Sequence, residues 1–120
     1  MIRRILILNK EVLIALDLAE MLKEEGFQIC GPHYSVDTAL DAISKRTPDA
    51  AILDVGLGKG FASAQVAEAL NKHSIPFAFV TEPETVEQLE PKFHDCLMLR
   101  KPLVYQKIIA VVDKLLNVEH

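Results

Sequence analysis

The sequence predicts a three-layer α/β fold: a parallel five-stranded sheet with helices on both faces. Short apolar runs alternate with segments of helical period five times along the 120 residues. The runs are continuously apolar, as strands buried on both faces must be. Helices between strands force right-handed crossovers and therefore parallel pairing. Five such units in this length fit the flavodoxin-like (βα)5 arrangement with strand order 2-1-3-4-5.

Ile5 to Leu8 is the first strand. Glu11 to Glu25 has helical period, with Leu13, Leu16, Ala19, Met21 and Leu22 recurring, and Gly26 ends it. Phe27 to Gly31 is the second strand. Ser35 caps the second helix, whose Ala39, Leu40, Ala42 and Ile43 are expected to face the core; Thr47-Pro48 ends it. Ala50 to Asp54 is the third strand, and Ala62 to His73 the third helix, with Val66, Ala67 and Leu70 inside. Pro76 to Val80 is the fourth strand. Glu82 to Phe93 carries Pro83 and Pro91, so the fourth helix is expected to be one or two turns at most. Cys96 to Leu99 is the fifth strand, and Val104 to Leu116 the last helix.

Residues 1–118 are expected to form one domain, with Glu119 and His120 read as a possible tag remnant. Half of the chain is hydrophobic and a quarter is charged, an ordinary globular composition. A net charge of −4, with no basic run beyond Arg3-Arg4, argues against nucleic acid as a partner. The apolar run after Arg4 is too short for a signal peptide, and no segment approaches the ~20 apolar residues of a membrane span. A cytoplasmic protein is expected, with Cys30 and Cys96 as buried free thiols.

Chemistry gathers at the carboxyl edge of the sheet, where open α/β sheets bind ligands. Asp54 closes the third strand and opens a glycine-rich loop with Gly56, Gly58 and Gly60. Thr81 follows the fourth strand, and Lys101 the fifth. A carboxylate beside a hydroxyl and an ammonium suits phosphoryl transfer: the carboxylate as nucleophile, the lysine offsetting charge, the hydroxyl donating to a phosphoryl oxygen. Gly56 lets the backbone approach the group closely. The first strand ends instead in Asn9-Lys10, where such a site wants acids. His33 and His94 have no second ligand at metal spacing and are read as loop or surface residues.

On the runs Ile52-Leu53-Asp54-Val55, Phe79-Val80-Thr81 and Arg100-Lys101-Pro102, the chain resembles the receiver domains of response regulators in two-component signalling, from Arg4 to about Leu116. Pro76 to Thr81 also looks like a subgroup carrying a Pro-Phe-x-Phe-Ala-Thr-Gly motif. The resemblance implies that Asp54 is the phosphoacceptor and Thr81 the switch hydroxyl. It implies that Lys101 contacts the phosphoryl group and that the Lys101–Pro102 peptide is cis. It also implies a histidine kinase or phosphotransfer protein as donor, a downstream protein as target, and a possible homodimer. With no output domain expected after the last helix, the domain is read as a stand-alone, non-enzymatic module acting through protein contacts.

Asn9 and Lys10 stand where receivers place acids that hold Mg2+, an ion that wants carboxylate oxygens. Asp54, Lys10 and Lys101 sum to +1 without metal, and Mg2+ would raise this to +3. Like unit charges at about 4 Å repel by ~4 kcal/mol at an effective dielectric of 20. Weak or absent Mg2+ binding follows, with the Lys10 ammonium expected in the ion's place, paired with Asp54. Glu11 softens this if it turns inward; its position also suits the helix dipole. Two further departures are Glu82 after Thr81, where a small residue is usual, and Met98, where an aromatic switch residue is usual. Tyr105 is read as surface or partner-facing.

Phosphorylation at Asp54 is therefore expected to be impaired or dispensable. A small flavodoxin-like binder of phosphate or FMN is the alternative, although Asn9-Lys10-Glu11-Val12 is not the Ser/Thr/Gly-rich loop it needs. A dehalogenase-type hydrolase needs an acid two residues after Asp54, where Gly56 stands.

Overall fold

The computed structural model describes residues 2–55, 62–81 and 96–116. Among them the elements run β1 (Arg4–Leu8), α1 (Val12–Glu24), β2 (Gln28–His33), α2 (Val36–Lys45), β3 (Ala50–Asp54), α3 (Ala62–Lys72), β4 (Phe77–Thr81), β5 (Leu97–Arg100) and α4 (Tyr105–Leu116). The strands form one parallel sheet in the order β2-β1-β3-β4-β5. This is the flavodoxin-like arrangement the alternation predicts. The expected fourth helix, Glu82 to Phe93, lies outside the described residues.

Strand side chains alternate between the two faces, and here both faces are covered. Leu6, Leu8, Ala51, Leu53, Phe77 and Phe79 pack against Ala39 and Ile43 of α2 and Val66, Ala67 and Leu70 of α3. Ile5, Ile7, Ala50, Ile52, Ala78 and Val80 pack against Leu18 and Leu22 of α1 and Ile108 and Val112 of α4. Burial of each large aliphatic side chain stabilises by about 1.5–3 kcal/mol. Phe77 and Phe79 meet edge to face, with centroids 5.6 Å apart.

Two expectations shift. First, β2 does not stop at Gly31 but continues through Pro32 to His33. Gly31 has φ +114°, a value that side chains rarely adopt, and a Cβ there would lie 2.6 Å from the His33 nitrogen. The register slips between Leu6 and Leu8, so that Leu8 pairs with His33, and the Asn9 N–H donates to the His33 carbonyl at 3.0 Å. The glycine absorbs the slip and the strand resumes. Second, only some of the apolar residues that mark the period of α1 are core: Ala19 and Leu22 are buried, together with Ala15 and Leu18, whereas Leu13 is 78% exposed and Leu16 48%.

Ser35 caps α2 by accepting the Thr38 N–H at 3.3 Å. Cys30 is buried and Cys96 half-buried, and neither is in a disulfide among the described residues. Among the described residues, no helix is long and apolar enough to cross a membrane.

Candidate functional site

Asp54 is the last residue of β3 and only 4% exposed. A carboxylate is buried there because the strand carries it to the rim of a sheet whose next positions inward, Ile52 and Leu53, are core. Leu8 pairs with Leu53, so Asn9 and Asp54 are the next step along neighbouring strands. Asn9 is 1% exposed. Asp54 is level with Val80, which places Thr81, also buried, one residue beyond it on β4. Asn9, Asp54 and Lys101 continue the alternation of the face packed against α1 and α4.

The turn from β1 into α1 is built on the asparagine. Asn9 Oδ1 accepts the Glu11 N–H at 2.8 Å, and the following residue, Val12, opens α1. This is the local role that suits Asn in turns. The same turn aims the Lys10 N–H at Asp54 Oδ2, 3.3 Å away. The other branch of the amide, Nδ2, is buried with no hydrogen-bond partner among the described residues.

The lysines divide their roles differently from the sequence expectation. Lys10 is exposed, and among the described residues no ion pair joins its ammonium to Asp54; its backbone N–H makes the contact instead. A long lysine stem favours a hydrated head over a buried one. Lys101 extends its Nζ to Glu11 Oε2 at 2.9 Å, and its own N–H donates to the Thr81 carbonyl at 3.0 Å. The Lys101–Pro102 peptide is cis. Glu11 thus turns toward the site and offsets the Lys101 charge, and with the Lys10 head in solvent the excess positive charge expected from Asp54, Lys10 and Lys101 alone does not arise.

Glu11 is the residue that sequence reasoning undervalued. Its position at the start of a helix had a sufficient local explanation in the dipole, and only the fold brings Lys101 beside it. Met98 is half-buried against the α2–α3 side of the core, and Tyr105 is exposed. Gly56, Gly58, Gly60, Glu82 and His94 lie outside the described residues, as do Glu119 and His120.

At the end of β1, Asn9 and Lys10 offer a magnesium ion no carboxylate oxygen. Such an ion demands octahedral oxygen ligation. Asn9 Oδ1 is committed to the Glu11 N–H, the open end of that amide is a donor, and Lys10 brings no side-chain oxygen. Glu11 is engaged by Lys101. Among the described residues, no cluster of three His, Cys, Asp or Glu side chains is placed to hold a metal.

Two neighbouring features complete the surroundings. His33, which follows the slip in β2, has its Nε2 3.8 Å from Cys30 Sγ, and burial holds its imidazole pKa below the ordinary value. A groove of about 240 Å³ runs beside the site between α1 and the segment after β5, lined by Ile14, Asp17, Met21, Lys101 and Leu103 among others.

No protein-family model matches the chain. SdrG from Sphingomonas melonis Fr1 is 35% identical, with 96% of this chain and 97% of that one covered and a TM-score of 0.82. The response regulator PhyR from Brucella abortus is 25% identical over 99% of this chain and 49% of its own, with a TM-score of 0.83. A response regulator receiver protein from Sinorhizobium medicae WSM419 shares the fold at 22% identity, covering 99% and 98% of the two chains, with a TM-score of 0.82. The transcriptional regulatory protein PdtaR of Mycobacterium tuberculosis is 35% identical over 79 residues, which make up 66% of this chain and 38% of that protein. The match therefore spans well under half the length of this curated relative.

Proposed function

The chain belongs to the response-regulator receiver family, and from that membership we propose a signalling module in which Asp54 is the phosphoacceptor position and Mg2+ is weak or dispensable. Thr81 and Lys101 contact the phosphoryl group. A histidine kinase or phosphotransfer protein supplies it, and the output is a change in protein–protein contact, in the cytoplasm, with no catalytic turnover of the module's own.

The observation that carries this reading is the buried Asp54 carboxylate at the rim of β3, met by the Lys10 N–H, with the Lys101–Glu11 pair alongside. The donors support the metal clause: Asn9 and Lys10 bring no carboxylate to the end of β1, and the Glu11 carboxylate is engaged by Lys101.

Incubation with acetyl phosphate, with and without Mg2+, followed by intact-mass measurement, tests the reading. A phosphoryl adduct on the wild type, missing from Asp54→Asn and little accelerated by Mg2+, is expected. Sub-millimolar Mg2+ affinity by calorimetry, or an adduct that persists in Asp54→Asn, overturns it.

The Lys101–Glu11 pair favours a second reading within the same family: a receiver held in one conformation by its own ion pair, signalling without phosphate. It predicts that Glu11→Gln alters partner binding while Asp54→Asn does not.

A further inference from the structure

Buried polar groups in a finished interior have partners. Asn9 Nδ2, in a residue 1% exposed, has none among the described residues. Its orientation is fixed by the other branch of the amide, because Oδ1 accepts the Glu11 N–H at 2.8 Å and a flipped amide would set two donors face to face. The open branch is therefore an N–H donor. It lies one register step beyond the Leu8–Leu53 pair, on the strand beside Asp54, and the next residue already directs its backbone N–H at Asp54 Oδ2. Residues 9 and 10 thus present two N–H donors at the carboxylate end of β3. A donor pair repels a metal ion and attracts an oxyanion.

We propose that the Asn9 side-chain amide is the oxyanion donor of this site. Its Nδ2–H binds a non-bridging oxygen of the phosphoryl group carried by Asp54, and transfer to Asp54 then proceeds without a divalent ion. This rests on the reading of Asp54 as the acceptor. The ligand class is a tetrahedral phosphoryl oxyanion delivered from an acyl phosphate or a phosphohistidine.

With acetyl phosphate the step balances as follows. One Asp54 carboxylate oxygen attacks phosphorus and forms a new O–P bond. The bond from phosphorus to the acetyl oxygen breaks, and acetate leaves with that electron pair. No proton is consumed and no redox change occurs. Negative charge concentrates on the phosphoryl oxygens along this path, where a fixed amide donor in a desolvated position stabilises it. Lys101 supplies the compensating charge by exchanging its Glu11 partner for the phosphoryl group.

The test is a time course of intact mass with acetyl phosphate in excess EDTA, on the wild type, Asn9→Ala and Asn9→Asp. The wild type is expected to form the adduct. Asn9→Ala is expected to form it about a hundredfold more slowly, the usual loss for one oxyanion donor. Asn9→Asp, equal in shape but without the donor, is expected to lose the metal-free reaction and recover with added Mg2+. Because these variants alter a buried residue, the wild type supplies an independent reading. Its Asn9 side-chain amide signals in a 15N spectrum, assigned by their loss in Asn9→Asp, are expected to shift and become protected from exchange as the adduct forms.

Equal rates for Asn9→Ala and wild type in EDTA, or amide signals unmoved by the adduct, overturn the proposal and leave the acceptor reading of Asp54 standing. So does a wild-type adduct that forms only with Mg2+. No adduct under any condition removes the acceptor reading and this proposal together.

Discussion

Along β1 the chain changes character within a single residue. Ile5 to Leu8 are fully buried, wholly apolar, and matched on both faces by helices. Asn9 is just as buried, yet half of its amide is unpaired among the described residues, and across from it on β3 the apolar run likewise gives way to buried Asp54. The interior is the consistent part, where pattern, packing and hydrogen bonding agree. The rim keeps a buried polar group whose hydrogen bonding is incomplete among the described residues. Sites that break local rules without structural compensation are where function is expected.

The sharpest test of this division is in the interior. Phe79→Ala removes the largest fully buried side chain and its edge-to-face partner contact with Phe77. It should cost about 3–5 kcal/mol in denaturant unfolding. Next comes Gly31→Ala at the edge of the sheet. A Cβ there meets the His33 nitrogen and ring while the backbone holds φ +114°, so a loss of roughly 1–3 kcal/mol is expected. Any rim substitution that cost as much as Phe79→Ala would break the distinction.

Glu11→Gln should sharpen it. The Lys101–Glu11 pair is part-exposed, with side-chain accessibilities of 21% and 45%, so its loss should change stability by about 1 kcal/mol or less, while phosphoryl handling changes.

The smallest effect is a pH dependence at His33. Its folded pKa is lowered by burial, so on acidification the unfolded chain binds the proton first. Its contribution is therefore fully present above about pH 6.5 and falls as the pH drops through the folded value. The urea midpoint should be lower at about pH 5 than at about pH 8, and His33→Gln should flatten part of that slope.

Most of the interior was legible because it follows from period and composition. Val66, Ala67 and Leu70 were assigned to the core of α3 and are buried there. The rest was hidden for identifiable reasons. Period alone does not say which of the recurring apolar residues of α1 face the core: Ala19 and Leu22 do, whereas Leu13 and Leu16 are exposed. Gly31-Pro32 reads as a stop, because sequence does not reveal a register slip that a positive-φ glycine can absorb. The direction of the Glu11 side chain depends on Lys101, 90 positions away in the chain, and no local signal carries that. The strand-tip residues themselves were visible early, since each directly follows or ends an apolar run.

One short stretch, Lys101 to Tyr105, touches α1 at both extremities. Lys101 grips Glu11 just before the helix begins, and the Tyr105 hydroxyl donates to Glu25 just after it ends. The first helix is thereby tied to the last by a strap that runs beside it. Drawing the lysine inward pulls one end of that strap while the tyrosine anchors the other. A chemical event at a single carboxylate would then be felt along a whole outer flank of the molecule as a change of tension.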